Sequence, residues 1–467
     1  MPAEYKRLSK NRLNTTGLKL AAVSLGCSKN RIDTEEILGF LSAQGFVLTD
    51  DYQIADVVIV NTCSFIESAQ QESINTLLEV AAHKNGPRAK IIAIGCLVEI
   101  FGSKILKYIP EIDGAIGVHS YSDLNRFMKI LLSGKRIAIR KPLAEEYHSL
   151  YSRILTTPAY SVNVKIAEGC SNRCHYCLIP RIRGCYRSRH PEDIITEIRN
   201  LLEYGAREIN LIAQDTTAYG SDRHGLPDLS GLITMILKLK GDFWLRILYT
   251  YPSRIDDTLI ELIAAESRIC NYLDVPIQHV NDQVLMQMAR SYGNNELTTL
   301  LLALHKRIPD LALRTTCMVG YPGESREQFN ELLDFIQEYP FENLGAFAYS
   351  AQKGTIAGNS PKQVPRRVIN KRLALLMETQ QQVSNLLNRK LIGRRLKILV
   401  EKALSPGSKR YYGRTEYQAP EVDGGVYFRS FISLNPGDWV SVEIGAVSPY
   451  NLLAVRPILL KDSLIKR

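Results

Sequence analysis

Three cysteines stand close together in the segment CSNRCHYC, at Cys170, Cys174 and Cys177. Three thiolates at this C-x3-C-x2-C spacing can bind three irons of a 4Fe-4S cluster, and no fourth cysteine follows at a matching distance. A structural zinc site would need a fourth Cys or His, and His175 lies between two of the ligands, where it can hardly turn back onto the same metal. The spacing therefore predicts a 4Fe-4S cluster with one open iron, and a structural zinc site is the alternative.

A second set of three cysteines is spread over the first hundred residues. Each follows a short apolar run directly: Cys27 follows LAAVSLG, Cys63 follows ADVVIVNT and Cys96 follows KIIAIG. With amphipathic stretches between them, these runs predict the alternating strands and helices of a parallel sheet. The carboxyl ends of parallel strands share one edge, where ligands bind, so we expect the three thiols to converge there. The pattern favours a second three-cysteine cluster over three separately buried cysteines.

The residues around these cysteines resemble the radical S-adenosylmethionine (SAM) methylthiotransferases. The resemblance is carried by SLGCSKNRIDTE, by VNTCSFIESA and by the C-x3-C-x2-C motif, and it runs from about Leu18 to the C-terminus. Four segments resemble the branch that modifies an aspartate of a ribosomal protein: GCSKNRIDTE, NTCSFIESAQQES, AQDTTAYG and APEVDG. The tRNA-modifying branch shares the clusters but differs in these flanks.

This resemblance implies a transferase that adds a methylthio group to the β-carbon of an aspartate in small-subunit ribosomal protein S-twelve. It also implies two 4Fe-4S clusters and SAM as cofactors, with the ribosomal protein and a low-potential electron donor as partners. The C–H bond beside a carboxylate is scarcely acidic, so a side-chain base cannot replace its hydrogen and radical chemistry is required. The alternatives are a tRNA adenosine methylthiotransferase and a non-catalytic, ribosome-associated iron–sulfur or zinc protein.

Length and composition agree with a multidomain enzyme of the cytoplasm. A chain of 467 residues with 45% hydrophobic residues is expected to form two to four domains, and no apolar run is long enough for a membrane span. The basic segment MPAEYKRLSKNR lacks the pattern of a cleaved signal and is expected to be a tail. The formal charge of +10 allows contact with nucleic acid without requiring it, because the basic residues are dispersed.

The pattern of apolar runs divides the chain into four segments. Residues 18–132 are predicted to form an N-terminal doubly wound parallel-sheet domain with the second cluster, and residues 133–160 a linker. Residues 161–390 contain six βα units, which predict a partial (β/α) barrel of the radical SAM kind, with its active site at the carboxyl ends of the strands. Residues 391–467 show an all-β pattern of small-barrel size that resembles a TRAM domain.

Five residues of the central segment are candidates for cofactor contacts. Tyr176 precedes the last cluster ligand and is placed to pack on the adenine of SAM, although simple shielding of the metal loop is the alternative. Gln214 and Asp215 end the strand EINLIAQD. Gly320 and Glu324 belong to MVGYPGE, which resembles the glycine turn of the family beside the adenine and is otherwise an ordinary turn.

Three acidic residues of the C-terminal segment are candidates for substrate recognition. Glu416, Glu421 and Asp423 cluster in EYQAPEVDG. Their charge would repel phosphate and attract a basic protein loop, whereas a plain solvated turn is the alternative.

Overall fold

The structure is a computed structural model that describes residues 15, 17–86, 88–143 and 153–456. The whole predicted basic tail and the last residues of the predicted TRAM segment lie outside these described residues. The chain forms two compact units: one contains residues 1–156, 168–172 and 177–187, and the other contains residues 157–167, 173–176 and 188–467. No helix in the described part of the chain is long and apolar enough to cross a membrane.

The first unit is built on a six-stranded sheet in which all paired strands are parallel, in the order β2-β1-β3-β4-β5-β6. Its strands are β1 (Lys19–Ser24), β2 (Val47–Leu48), β3 (Val57–Thr62), β4 (Lys90–Gly95), β5 (Gly114–Ile116) and β6 (Ile137–Ile139). Its helices are α1 (Ser28–Ala43), α2 (Glu67–His83), α3 (Cys96–Phe101), α4 (Ile105–Tyr108), α5 (Leu124–Leu132) and α6 (Ile179–Arg183).

Alternate side chains of β3 belong to different hydrophobic cores. Val57 and Ile59 pack into one core, and Val58 and Val60 pack into the other. Since successive side chains of a strand point to opposite faces, this sheet is covered on both sides. The predicted doubly wound domain is therefore confirmed.

The segment predicted as a linker, residues 133–160, contains more structure than its sequence indicated. Strand β6 lies within it and pairs in parallel with β5. The sheet thus continues beyond the boundary expected at Leu132. Residues 144–152 of the same segment lie outside the described residues.

The second unit contains an open sheet of six parallel strands in the order β14-β13-β12-β11-β10-β7. These strands are β7 (Ser161–Lys165), β10 (Glu208–Ile212), β11 (Trp244–Ile247), β12 (Ile269–Asp274), β13 (Ala312–Val319) and β14 (Asn343–Ala348). The short strands β8 (Ala167–Glu168) and β9 (Arg187–Ser188) form a separate two-stranded sheet. Six parallel strands in an open sheet confirm the predicted partial barrel.

Helices connect the strands of this sheet. They are α7 (Pro191–Glu203), α8 (Leu229–Ile236), α9 (Asp257–Ala265), α10 (Asp282–Gln287), α11 (Asn294–Arg307) and α12 (Arg326–Glu338). The sequence at the start of two helices favours helix formation there. Helix α7 has proline in its first turn, followed by two acidic residues, and α12 begins with a capping box between Ser325 and Gln328.

A long helix, α13 (Arg366–Arg389), leads to a closed barrel of five strands. The barrel order is β15-β16-β17-β19-β18, with β15 (Arg395–Ala403), β16 (Arg410–Arg414), β17 (Val426–Arg429), β18 (Trp439–Val447) and β19 (Leu452–Ala454). Leu396, Ile398 and Val400 of β15 point into its core, as the alternation in sequence predicts. The small all-β domain is confirmed.

A buried ion network joins this C-terminal barrel to the central sheet. Glu208, the first residue of β10, accepts hydrogen bonds from Arg414 Nη2 at 2.6 Å and from Arg246 Nε at 3.0 Å. Beside it, the rings of Trp244 and Trp439 meet edge to face with centroids 4.5 Å apart. Since Glu208 and Trp244 begin their strands, the C-terminal barrel packs on the amino-terminal ends of the central strands, opposite the end that binds ligands in such barrels.

The arginines decide the charge state of Glu208. Burial opposes its ionisation, but Arg414 and Arg246 outweigh burial and lower its pKa to about 2. A carboxyl group whose pKa is lowered by folding stabilises the protein above its pKa in the unfolded chain. This stabilisation is lost as the pH falls from about 4.5 towards 2.

We expect Glu208→Gln to lower the free energy of unfolding by about 3 kcal/mol at neutral pH, because the buried Arg246 loses its anion and Arg414 keeps only its pair with Glu401. The measurement is urea unfolding followed by tryptophan fluorescence, since both tryptophans of the chain lie at this junction. Asp310→Asn is the matched control, because it breaks the exposed pair of Asp310 and Arg394 and should cost less than about 1 kcal/mol. Equal losses in the two variants would contradict the role given to the buried network.

Candidate functional site

The three cysteines of the first unit follow neighbouring strands. Cys27 lies between β1 and α1, Cys63 follows β3 directly, and Cys96 follows β4 and begins α3. Because β1, β3 and β4 are adjacent in the sheet, all three cysteines are at one edge. Cys63 and Cys96 are buried and Cys27 is exposed, so the cysteine edge is open on one side.

Two glycines permit the close approach of backbone and side chains at this edge. Gly26 has φ of +85°, and a Cβ added there would lie 2.7 Å from Cys63 Cβ and 2.9 Å from its Sγ. Gly95 has φ of +93°, and an added Cβ would lie 2.3 Å from Asn61 Oδ1. Both positions therefore need glycine for conformation and for space.

A layer of buried amides fixes the ends of the strands below the cysteines. Asn30 Nδ2 donates to the carbonyl oxygens of Leu25 at 3.0 Å and Thr62 at 3.1 Å. Asn61 Nδ2 donates to Asn30 O at 2.7 Å and to Thr34 Oγ1 at 2.9 Å. These bonds connect α1 to the ends of the strands, so buried hydrogen bonds of Asn30 and Asn61 set the spacing of the cysteines.

An arginine reaches this layer from α6, the short helix that follows Cys177. The Arg183 guanidinium donates to Asp33 Oδ2 at 2.7 Å, Glu168 Oε2 at 3.1 Å and Asn30 Oδ1 at 2.6 Å. It also lies 3.7 Å from Cys96 Sγ, within the distance of an N–H···S hydrogen bond. Burial acts to lower the pKa of Arg183, but Asp33 and Glu168 raise it well above its usual value, so the group stays charged.

The two buried thiols, Cys63 and Cys96, lie in an environment that suits metal ligands, which lose their proton when the metal binds. Burial raises the pKa of Cys96 to about 12 and also raises that of Cys63, while Arg183 acts in the opposite direction at both. Such thiols are protonated at neutral pH until a metal replaces the proton. A cation beside Cys96 then compensates the thiolate charge, so these residues fit an iron–sulfur cluster.

The other cysteine triad lies in one loop. Cys170 N donates to Gly184 O at 3.0 Å, and Cys177 Sγ accepts from Ile179 N at 3.4 Å. His175 Nδ1 lies 2.8 Å from the carbonyl oxygen of Gln287, so a backbone contact orients the ring. The assignment of the three thiols as cluster ligands stays a prediction.

A second arginine contacts this loop. Arg290 Nη1 lies 3.6 Å from Cys174 Sγ, and its Nη2 donates to Pro276 O at 2.8 Å. Its guanidinium carbon lies 4.3 Å from the ring centre of Tyr251 and 5.0 Å from that of Tyr292. Each cysteine triad therefore has one ligand sulfur that faces a fixed guanidinium group.

Among the described residues, no three Cys, His, Asp or Glu side chains are arranged to hold a single metal ion. A 4Fe-4S cluster does not need that arrangement, because its cysteines bind different irons.

The predicted cofactor residues of the barrel make contacts within the protein. Tyr176 packs against the apolar cluster that includes Met318 and Tyr321. Asp215 is buried and pairs with Arg254 at 2.6 Å, and Gln214 precedes it at the end of β10. Contact of these side chains with a cofactor stays a prediction.

Glu324 holds the turn that the sequence singled out. It accepts from the amides of Gly320 and Tyr321, the latter at 3.0 Å, and it pairs with Arg372 of α13 at 2.9 Å. Gly320 has φ of +77°, and a Cβ there would lie 2.4 Å from Ile369 Cγ1. Both residues therefore shape this turn, and a direct contact with cofactor stays a prediction.

The sequence analysis missed two backbone features at the carboxyl ends of β11 and β12. Tyr249 and Gln278 have φ of 62° and 67°, a conformation that residues other than glycine seldom adopt. Gln278 is buried, and its Oε1 has no hydrogen-bond partner among the described residues. Strain and an unpaired polar atom at the ligand end of a barrel are typical of a functional site.

The acidic loop of the C-terminal barrel faces the central sheet more than solvent. Glu416 Oε2 accepts from Asn271 N at 3.0 Å, and Asp423 accepts from Tyr272 Oη at 2.7 Å and pairs with Arg314. Glu421 is exposed. The carboxylates of Glu416 and Asp423 thus bind within the protein, and substrate recognition by this acidic loop stays a prediction.

Comparison with known families matches all three domains. Residues 19–117 match the family described as Uncharacterized protein family UPF0004, residues 164–336 the Radical SAM superfamily, and residues 392–456 the TRAM domain. Among solved structures, the radical S-adenosylmethionine methyltransferase TsrM from Kitasatospora setae is similar, with a TM-score of 0.56. It is 15% identical and covers 73% of this chain and 77% of its own, so it supports the fold.

Two curated relatives are similar over nearly their whole length. The ribosomal protein uS12 methylthiotransferase RimO of Pelotomaculum thermopropionicum is 43% identical, with 93% of this chain and 98% of that protein covered. The protein of the same name from Clostridium acetobutylicum is 42% identical, with 94% and 98% covered. With this identity, the three matched domains and both cysteine triads in place, the chain belongs to the radical SAM methylthiotransferase family.

Proposed function

We propose that this protein transfers a methylthio group to the β-carbon of an aspartate in ribosomal protein uS12. The observation that carries the proposal is the presence of two separate cysteine triads in a chain that matches curated uS12 methylthiotransferases over 93% of its length. Replacing hydrogen by sulfur at an unactivated carbon needs both a source of radicals and a source of sulfur. Two clusters can meet this requirement, one for the radical and one for the sulfur, whereas a single cluster cannot supply both.

The cofactors are two 4Fe-4S clusters and SAM. Cys170, Cys174 and Cys177 hold the cluster whose open iron binds SAM, which we call the SAM cluster. Cys27, Cys63 and Cys96 hold the second cluster. When bound, these groups supply the radical that removes the hydrogen and the sulfur that takes its place.

The side chains of the protein position the reacting groups. Tyr176, Gln214, Asp215, Gly320 and Glu324 line the SAM site, directly or through the turns that they hold. The open end of the central sheet, where Tyr249 and Gln278 are strained, receives the aspartate. The protein acts in the cytoplasm, with the ribosomal protein free or in the ribosome, and takes electrons from a low-potential donor.

We expect the anaerobically reconstituted protein to bind two 4Fe-4S clusters. Replacing Cys170, Cys174 and Cys177 together by Ala should halve the iron and sulfide content, because the other triad keeps its cluster. The same change at Cys27, Cys63 and Cys96 should also leave one cluster, and this variant should still cleave SAM. The measurement is iron and sulfide content with circular dichroism to verify folding.

Cys185→Ala is the control for cysteine loss, since Cys185 is exposed and belongs to neither triad. It should keep the full iron content. A folded triple variant that keeps all of its iron, or loses all of it, would refute the assignment of the ligands.

We expect a methylthio group on uS12 and none on tRNA when the enzyme, SAM and a reductant are offered both substrates. The readout is mass spectrometry of the peptide and of the nucleosides from the same reaction. Product on adenosine and none on aspartate would favour a tRNA methylthiotransferase. Absence of SAM cleavage from a protein with both clusters would indicate a non-catalytic iron–sulfur protein.

We also expect Glu421→Lys to slow the encounter with uS12 and to weaken its salt dependence, because charges at the rim of an interface act mainly on association. Glu421 already has φ of +68°, so lysine is no more strained there than glutamate. The measurement is the rate of association with uS12 at two salt concentrations. Glu378→Lys on α13 makes the same charge change at another exposed position, and an equal effect there would show that only net charge matters.

A further inference from the structure

Arg183 has more contacts than an ordinary ion pair requires. Asp33 and Glu168 already compensate its charge, with shortest N···O distances of 2.7 and 3.1 Å. Both carboxylates bind Nη1, and Nη2 reaches Asn30 Oδ1 and Cys96 Sγ. The carboxylates therefore fix a guanidinium whose Nη2 faces the cysteine.

The geometry around Cys96 depends on whether its sulfur is protonated. In the thiol form, Cys96 Sγ lies 3.7 Å from Asn30 Oδ1 and can donate to it. Once the sulfur binds iron, it has no proton and can only accept. Asn30 presents an oxygen to this sulfur, so Arg183 is the donor that the contacts of the described residues provide for it.

We propose that Arg183 is a positioning residue for the second cluster, which donates to the Cys96 thiolate and makes this cluster easier to reduce. The inference rests on the proposed function, because it takes Cys27, Cys63 and Cys96 to be cluster ligands. Hydrogen bonds to cluster sulfurs favour the reduced, more negative state, so the bond from Arg183 is expected to raise the reduction potential.

The position of Arg183 in the chain gives this contact a further consequence. Arg183 ends α6, which begins two residues after Cys177. Pro180 in the first turn of α6 and Gly184 after it fix the length of the helix. The segment that ends the SAM-cluster motif therefore also carries the donor to the second cluster. Loss of order in this segment would remove a contact from each cluster.

Arg290 gives an internal comparison, because it makes the same kind of contact with the other triad. It approaches Cys174 Sγ at 3.6 Å and is held by Pro276 O and Tyr292 Oη. If N–H···S bonds set the potentials, each arginine should act on its own cluster. This expectation separates a local effect from general damage to the protein.

The test is a redox titration of the full-length, two-cluster protein followed by electron paramagnetic resonance. Added SAM changes the signal of the SAM cluster and so identifies the other signal. We expect Arg183→Met to make reduction of the second cluster about tenfold less favourable, which is about 59 mV for one electron. The SAM cluster should keep its potential, and Arg290→Met should give the reverse result.

Arg181→Met is the matched control, since Arg181 lies in the same helix but is exposed. It should shift neither potential. Because Arg183→Met leaves Asp33 without its cation, the double variant Arg183→Met with Asp33→Asn is measured as well. It removes one charge of each sign and should show the same shift of the second cluster.

The outcomes distinguish this inference from the proposed function. A folded Arg183 variant with two clusters and an unshifted second potential would overturn the role of Arg183 alone. Equal shifts of both reduction potentials would also overturn it. Loss of iron from both cluster sites in both Arg183 variants would have the same meaning. A wild-type protein with a single cluster would overturn the proposed function and this inference with it.

Discussion

Parallel strands end at one edge of their sheet, and the chemistry of the first unit depends on this constraint. Cysteines that are far apart in the chain become neighbours because β1, β3 and β4 are adjacent. Their spacing is then fixed by Asn30 and Asn61, which use their amide groups to tie α1 to the strand ends. The cluster proposed for these three cysteines would thus rest on a polar layer that is itself part of the fold.

In the second unit the two ends of the central sheet differ in their interactions and in their backbone conformation. The amino-terminal ends carry Glu208 and its two arginines, Arg246 and Arg414, and Glu401 supplies the second negative charge at this junction with the C-terminal barrel. The carboxyl ends carry the strained residues Tyr249 and Gln278. The buried ion pairs that stabilise the unit are therefore at one end of the sheet, and the strained backbone is at the other. Strained backbone conformations are common at binding sites, where the surrounding structure holds them in place.

The sequence predicted what depends on periodicity and local spacing. The apolar runs before Cys27, Cys63 and Cys96 indicated strands, and the order of the elements indicated the sheets and the small barrel. It could not predict the partners of Arg183, because Asp33 lies 150 residues away in the chain. For the same reason Asp423 looked like a charge of an exposed loop, whereas Tyr272 and Arg314 lie against it. The left-handed backbone conformation of Gln278 cannot be predicted from the composition or from the spacing of apolar residues.

The place of the C-terminal barrel limits the shape of any substrate that it holds. Strands β10 and β11, on whose first residues the C-terminal barrel packs, have five and four residues, and at about 3.3 Å per residue they span about 13 to 17 Å. A compact side chain cannot cover that distance by itself. A protein held by the C-terminal barrel would have to present its reactive aspartate on a long, extended loop that passes along the side of the sheet. A folded protein whose loops are all short and tight could not place an aspartate at the carboxyl ends of the strands while it is bound to the C-terminal barrel. Distance would exclude it as a substrate, whatever its charge.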